Sequence, residues 1–285
     1  MILVTGAAGK TGQAVIRALV GRKSKVRAFV RSQSEADLVT GIGVESVTLG
    51  EFQNNAALSE ACQGIEKIYH ICPNVAPDES EIGERILSIA KQAHVDQFVY
   101  HSVLHPQVEA MPHHWQKMRM EEMIFASGID FTIIQPCAYM QNVLGGWKQI
   151  KENGIYSVPY STSTRISVVD LRDIGEAAAC VLTMPDHRNA IYECCGPQPL
   201  SQIEVAEIIG TSIGRRVEAA EEDLVTWQRN AQKIGLSKYA IDTLTSMFRY
   251  YDKYGFTGNS GVLEHILRRK PGNFHDFITW YNQPA

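Results

Sequence analysis

The chain opens with Met1-Ile2-Leu3-Val4-Thr5-Gly6-Ala7-Ala8-Gly9-Lys10-Thr11-Gly12, and this stretch decides the fold. An apolar run predicts a short strand, three spaced glycines follow, and apolar residues at helical spacing come next. That order is typical of a dinucleotide-binding unit, in which the phosphates bind the free N–H groups of the helix N-terminus. Gly6 allows the tight turn, Gly9 lets the backbone approach a pyrophosphate, and Gly12 lets the helix pack on the sheet.

A second strand, predicted over residues 25–32, carries Arg31 at its end, 19 residues beyond Gly12. Sites that prefer NAD place an acid here for the ribose 2′-hydroxyl, whereas an arginine suits a 2′-phosphate. We therefore expect NADP(H), with NAD(H) as the weaker ligand. The alternative is that Arg31 is only a solvated residue at a strand end. Lys10 either adds positive charge near the same phosphate or faces solvent.

Composition excludes several classes of protein. A chain of 285 residues with 45% apolar residues predicts one or two globular domains. The formal net charge of −4 gives no global basic field for nucleic acid, although a local basic patch is left open. The first residues already belong to a core strand, and no apolar run approaches about 18 residues, so we expect no signal peptide, no membrane span and a cytoplasmic protein. Monomer and homodimer stay open.

The cysteines and histidines predict neither disulfides nor a metal site. Six cysteines lack paired CxxC spacing, so we expect them to be reduced, with no redox role for Cys194 and Cys195. The histidines at 101, 105, 113 and 114 have no carboxylate partner at ligand spacing. No Gly-x-Ser-x-Gly sequence occurs, which argues against a serine hydrolase.

Strands and helices alternate along the chain, which predicts an α/β fold with a doubly wound parallel sheet of six or seven strands. The predicted strands cover 1–5, 25–32, 44–49, 67–72, 97–102, 131–135 and 191–194, and helices are expected around 34–40, 82–93, 117–127 and after Asp173. From about residue 215 no strand is as clear. We assign 1–135 and 161–200 to a Rossmann domain, and 136–160 with 201–285 to a smaller, mostly helical substrate lobe.

Motifs in a fixed order point to a known family. They are Thr5 to Gly12, Val30-Arg31, Gly50-Glu51-Phe52, Gln135-Pro136 with Asn142, residues 169–175, Gly196-Pro197 and the closing residues 267–274. With them the chain resembles the NmrA-like family, a branch of the atypical short-chain dehydrogenases. The resemblance implies an NADP(H) site and a substrate cleft under the C-terminal lobe. The family includes quinone, azo-dye and triphenylmethane reductases, and regulators that bind the dinucleotide without turning it over.

One departure concerns catalysis. Short-chain dehydrogenases use Tyr-x-x-x-Lys, but here the frame is His113-His114-Trp115-Gln116-Lys117, with the lysine and without the tyrosine. Lys117 is expected to hold the nicotinamide ribose, the alternative being a solvated helix face. His113 is either a proton donor or one of two solvated histidines in a polar loop. Tyr139 either reaches the nicotinamide face or only packs in the cleft.

Strand ends supply the remaining candidates, because ligands of an open α/β sheet bind at the carboxyl ends of its strands. For Phe52, Cys72, Pro73, Ser102 and Val103, a core position and a cofactor wall are equally open. The catalytic candidates are Lys117 and Tyr139. The predicted cofactor contacts are Gly6, Ala8, Gly9, Lys10, Thr11, Gly12, Arg31, Glu51, Phe52, Cys72, Pro73, Ser102, Val103, Lys117, Pro136 and Tyr139.

Two functions follow from these residues. The first is an NADPH-dependent reductase of a quinone-like or other conjugated acceptor, which Tyr139, Met140 and aromatic residues of the C-terminal lobe hold against the nicotinamide. The second is a non-catalytic sensor of NADP(H) that acts through a partner protein. Hydride transfer to a quinone needs little beyond stacking on the nicotinamide, so the missing tyrosine does not exclude an enzyme.

Overall fold

A computed structural model of the chain describes residues 1–283. Within this range twelve strands form: β1 (Ile2–Val4), β2 (Val26–Val30), β3 (Ser46–Leu49), β4 (Lys67–His70), β5 (Gln97–His101), β6 (Phe131–Pro136), β7 (Ala138–Tyr139), β8 (Ile155–Val158), β9 (Ile166–Val169), β10 (Ala190–Cys194), β11 (Pro199–Leu200) and β12 (Glu218–Glu221). The same residues form twelve α-helices: α1 (Lys10–Gly21), α2 (Gln33–Thr40), α3 (Asn55–Cys62), α4 (Glu79–Gln92), α5 (Pro112–Ser127), α6 (Trp147–Asn153), α7 (Leu171–Thr183), α8 (Gln202–Ile213), α9 (Leu224–Lys233), α10 (Lys238–Tyr254), α11 (Gly261–Leu267) and α12 (Phe274–Tyr281). A 3₁₀ helix, Met140–Gly146, connects β7 to α6.

Seven strands form one sheet in the order β10-β6-β5-β4-β1-β2-β3, and every neighbouring pair in it is parallel. The connections run outward from β1 to β3 and then return to β4 on the other side of β1. That reversal is the topological switch point of a doubly wound sheet, where ligands bind. The predicted Rossmann fold, with seven strands in its main sheet, is confirmed.

Apolar clusters cover both faces of the main sheet. On one face α1 and α7 pack on residues such as Val4 and Val99, and on the other α3, α4 and α5 pack on residues such as Leu3 and Phe98. Strands buried on both faces appear in sequence as nearly continuous apolar runs, which is why the sequence located them within a few residues.

The smaller lobe is mostly helical, as expected, but the chain forms five short strands that the sequence did not indicate, β7, β8, β9, β11 and β12. β12 pairs in parallel with β8, and β7, β9 and β11 form a small three-stranded sheet. Glu218–Glu221 has the sequence Glu-Ala-Ala-Glu, whose low strand propensity hides a strand that tertiary pairing imposes. A third core joins Trp147, Val205 and Phe274. The division of the chain into domains stays a prediction.

Helix α5 begins five residues earlier than predicted, at Pro112 instead of Lys117. Proline suits the first turn of a helix, because its φ angle is preset and its missing N–H would have no partner there. His113 and His114 therefore lie in the first turn of a helix, and the expectation of a polar loop was wrong.

The first helix depends on a missing side chain at Gly12. A Cβ there would lie 2.7 Å from both Cα and the carbonyl oxygen of Ala7. We predict that Gly12→Ala lowers the free energy of unfolding by about 1–3 kcal/mol through overpacking, measured by urea denaturation.

Gly21 is the matched control because it ends the same helix with nothing within 4 Å of an added Cβ. Gly21→Ala should be neutral or stabilising by up to about 1 kcal/mol. Equal effects of the two substitutions would contradict the close approach at Gly12.

Candidate functional site

The carboxyl ends of the parallel strands lie along one edge of the main sheet, and the predicted cofactor residues follow that edge. In spatial order the edge carries Glu51 and Phe52 after β3, Arg31 after β2, Gly6 to Gly12 after β1, Cys72 and Pro73 after β4, Ser102 and Val103 after β5, and Pro136 and Tyr139 at the end of β6 and in β7. We call this the carboxyl edge. The structure thus brings together residues far apart in sequence.

The glycine turn forms a cradle at the centre of the carboxyl edge. Gly6 has a φ of +60°, and a Cβ there would lie 2.9 Å from the Ile71 carbonyl oxygen. Gly9 is the N-cap of α1 and offers no side chain to cap the helix. Gln13 holds the turn by donating from Nε2 to the Ala8 carbonyl at 2.8 Å. The first amides of α1 can therefore bind an anion such as a phosphate.

Two cations flank the cradle. Lys10 is exposed, and Arg31 is exposed at the end of the neighbouring strand. The Arg31 guanidinium lies 3.0 Å from Glu35 Oε1, and the Arg31 backbone N–H donates to Glu35 Oε2 at 2.8 Å. That backbone hydrogen bond lowers the pKa of Glu35, so a carboxylate shares the charge of Arg31.

An open cavity of about 740 Å³ lies beyond Arg31 at the β3 end of the edge. It is lined by Gly50, Glu51, Gln53, Asn54, Asn55 and Ala56. Further along the edge, Pro73 is exposed and Val103 is half-buried, so both have surface that a ligand can reach.

Three strand-end residues are buried instead. Phe52 packs edge-on against the His70 ring with centroids 5.6 Å apart. Cys72 is buried, and burial raises the pKa of its thiol. Ser102 donates its hydroxyl to Glu121 at 2.5 Å. These side chains serve the core, and their role as cofactor contacts stays a prediction.

Lys117 is buried beneath the edge, and the alternative of a solvated helix face was wrong. Its side chain is 6% exposed, and Nζ lies 2.6 Å from Glu79 Oε1. The ammonium also donates to the His101 carbonyl at 3.2 Å, and the Tyr100 hydroxyl donates to the same Glu79 oxygen at 2.7 Å. An ammonium has three donors, so these contacts leave one for a ligand.

Tyr139 belongs to a chain of three hydrogen-bonded rings. Its hydroxyl lies 2.6 Å from His101 Nε2, and His101 Nδ1 lies 2.7 Å from the hydroxyl of Tyr69. Tyr69 is fully buried and Tyr139 is half-buried. Burial and the nearby Lys117 charge lower the pKa of His101 to about 3, so this imidazole is neutral at physiological pH. Burial raises the pKa of Tyr139, although the nearby Thr11 hydroxyl opposes that shift.

The other histidines and Met140 do not present reactive groups to the edge. His114 is buried, with Nδ1 3.1 Å from the His105 carbonyl oxygen. Burial holds the pKa of His113 well below its ordinary value, which makes it a poor proton donor at neutral pH. Met140 is buried in the core of the small lobe, and so cannot contact an acceptor as expected.

Sequence reasoning missed Tyr69, His101 and Glu79 as partners of the two candidates. His101 had been considered only as a metal ligand. A signal was present, since Tyr69 and His101 are polar groups near the carboxyl ends of apolar strands, and polar groups buried there need partners. The partners themselves come from other elements and cannot be identified from spacing.

No group of three or more histidine, cysteine, aspartate or glutamate side chains within residues 1–283 could hold a metal ion. All six cysteines are unpaired and buried. In the described part of the chain, no helix combines the length and apolar character needed to cross a membrane.

The chain is similar to known proteins over nearly its whole length. The model of the NmrA-like family matches residues 1–278. An NAD(P)H azoreductase from Xenophilus azovorans is 29% identical over 97% of this chain and 96% of that protein, and quinone oxidoreductase 2 from Escherichia coli strain K12 is 26% identical over 94% and 93%. The solved E. coli NADPH-dependent quinone oxidoreductase QOR2 complexed with NADPH has the same fold, with a TM-score of 0.87, 23% identity, and coverage of 99% of this chain and 100% of that one. Because the family match spans nearly every residue, the chain belongs to the NmrA-like family.

Proposed function

We propose that the protein is an NADPH-dependent reductase that transfers a hydride to a flat, conjugated acceptor such as a quinone. The observation that carries this proposal is the pairing, on one edge, of an uncapped helix N-terminus behind a glycine turn with the half-buried Tyr139, whose hydroxyl lies 2.6 Å from His101 Nε2. The azoreductase and quinone oxidoreductase names of the relatives support the same class of reaction.

The residues present fit a dinucleotide. A side chain at Gly6 would fill the cradle against Ile71, and the α1 amides that follow have no side-chain cap. The pyrophosphate would bind these amides, the adenosine half would lie toward Arg31 and Glu51, and the nicotinamide half toward Lys117 and Tyr139. When bound, the reduced dinucleotide supplies the hydride.

The chain's own groups then orient the reacting rings. The third donor of Lys117 would hold a ribose hydroxyl, and Glu79 fixes the position of the ammonium. Tyr139 would contact the ligand with a neutral hydroxyl, because burial keeps its pKa high. The alternative function, a sensor of NADP(H) that acts through a partner protein, needs binding without turnover.

The direct test is NADPH oxidation followed by absorbance against a panel of quinones and azo dyes. We expect turnover with at least one conjugated acceptor and at least a tenfold lower kcat in Tyr139→Phe. Tight NADPH binding with no turnover across the panel would favour the sensor instead.

Arg31 should make NADPH bind more tightly than NADH. A charge-assisted hydrogen bond to the 2′-phosphate contributes about 1.5–3 kcal/mol, so Arg31→Ala should lower the preference about 10- to 100-fold in calorimetric titrations. Arg216→Ala is the control, since Arg216 is also exposed and pairs with a glutamate, Glu218, at 2.7 Å. An unchanged preference in Arg31→Ala would remove Arg31 from the site.

Lys117 gives a prediction that separates folding from binding. Lys117→Met leaves the Glu79 carboxylate buried without its partner, and should lower the free energy of unfolding by about 3–5 kcal/mol. The double variant Lys117→Met/Glu79→Gln removes both charges and should recover most of that loss in urea denaturation.

Affinity should behave differently. Both variants lack the ammonium, so both should bind NADPH about tenfold or more weakly by calorimetry. If the double variant regains wild-type affinity as well as stability, Lys117 is a structural residue and not a ribose ligand.

A further inference from the structure

The hydroxyl of Tyr69 is buried at the inner end of the Tyr69–His101–Tyr139 chain. Tyr69 is 0% exposed, and within residues 1–283 its hydroxyl has one hydrogen-bond partner, His101 Nδ1 at 2.7 Å. If the hydroxyl accepted a hydrogen bond from Nδ1–H, its own hydrogen would be buried without an acceptor, which is costly. The Tyr69 hydroxyl therefore donates to Nδ1.

The direction of this hydrogen bond determines the tautomer of His101. A neutral imidazole carries one N–H, so an Nδ1 that accepts from Tyr69 leaves the proton on Nε2. The Nε2–H then donates to the Tyr139 oxygen across 2.6 Å. Within residues 1–283, His101 is the one hydrogen-bond partner of the Tyr139 hydroxyl. With its oxygen accepting, Tyr139 has its own hydrogen free for a ligand.

We infer that Tyr69 and His101 are positioning residues that lock the Tyr139 hydroxyl as a hydrogen-bond donor to an oxygen of the acceptor in the cleft. This deepens the proposed reductase function and rests on it. The Tyr139 hydroxyl from β7 thereby takes the place of the tyrosine missing from the Tyr-x-x-x-Lys frame. In the reduction, the acceptor would gain a hydride from the dinucleotide, which is oxidised, and a proton from water, while the Tyr139 hydroxyl donates a hydrogen bond to the acceptor oxygen.

The Tyr69–His101–Tyr139 hydrogen bonds orient the Tyr139 hydroxyl and do not conduct protons. A relay would leave either an imidazolium at His101 or a phenolate at Tyr69. Burial lowers the pKa of His101 to about 3 and raises that of Tyr69 well above its ordinary value, so both charged states are disfavoured. The polarity of the chain is thus fixed throughout the reaction.

The protein contains a second tyrosine–histidine pair that serves as a matched control for this inference. Tyr192 is a second tyrosine paired with a histidine, its hydroxyl 3.0 Å from His187 Nδ1. It lies in β10, and its partner follows α7, at the opposite end of the strands from the carboxyl edge. Tyr192→Phe removes the same hydroxyl from the same kind of pair without touching Tyr139.

The test is ¹⁵N NMR of the histidine rings in the full chain, with the His101 signals assigned from a His101→Gln variant. We expect His101 to be neutral at pH 7 and in the Nε2–H tautomer. Tyr69→Phe should shift it to a mixture of tautomers and lower kcat with a quinone about tenfold, with less than a twofold change in NADPH affinity. Tyr192→Phe should change neither the His101 tautomer nor kcat.

The two proposals fail separately in this experiment. An Nδ1–H tautomer in the wild-type protein, or a Tyr69→Phe variant that keeps both the wild-type tautomer and kcat, overturns the inference even if quinones are reduced. An Nε2–H tautomer that responds to Tyr69→Phe, in a protein that reduces no acceptor, supports the orientation of Tyr139 and rejects the reductase.

Discussion

The close packing of the first helix against the turn that precedes it is the constraint on which the site depends. At Gly12 the helix approaches the backbone of Ala7 with no room for a side chain. Helix α7 packs equally closely on α1, because a Cβ at Gly175 would lie 2.5 Å from the Ala14 carbonyl oxygen. These contacts hold the N-terminus of α1 against the carboxyl end of β1. Backbone amides can bind an anion only if the helix end that carries them is held in place, because they cannot move independently of the helix.

Two buried polar networks support the edge from opposite faces of the sheet. On the α1 and α7 face, Tyr69 and His101 reach Tyr139. On the other face, Glu79 holds Lys117 and Tyr100. Charges and hydroxyls are costly to bury without partners, so their nearly complete pairing favours one arrangement of the side chains at the carboxyl edge. The sheet and these two networks therefore hold Tyr139 and Lys117 in place.

The sequence predicted the features that depend on residues close together in the chain. The glycine turn, the strand ends and the position of Arg31 followed from short-range patterns, and the parallel topology placed them on one edge. The burial of Lys117 was not foreseeable, because Glu79 lies 38 positions away on another helix. β12 was hidden for a similar reason, since its strand character comes from pairing with β8. The Tyr69–His101–Tyr139 chain needed three elements to be placed in space.

The central claim is that the Gly6–Gly12 turn holds the dinucleotide with its nicotinamide toward Tyr139. A crystal structure of the protein grown with NADPH tests this most directly. The account predicts the pyrophosphate on the first amides of α1, the 2′-phosphate near Arg31, and the nicotinamide within contact distance of the Tyr139 hydroxyl. A dinucleotide bound elsewhere, or bound with its nicotinamide toward Glu51, would contradict it.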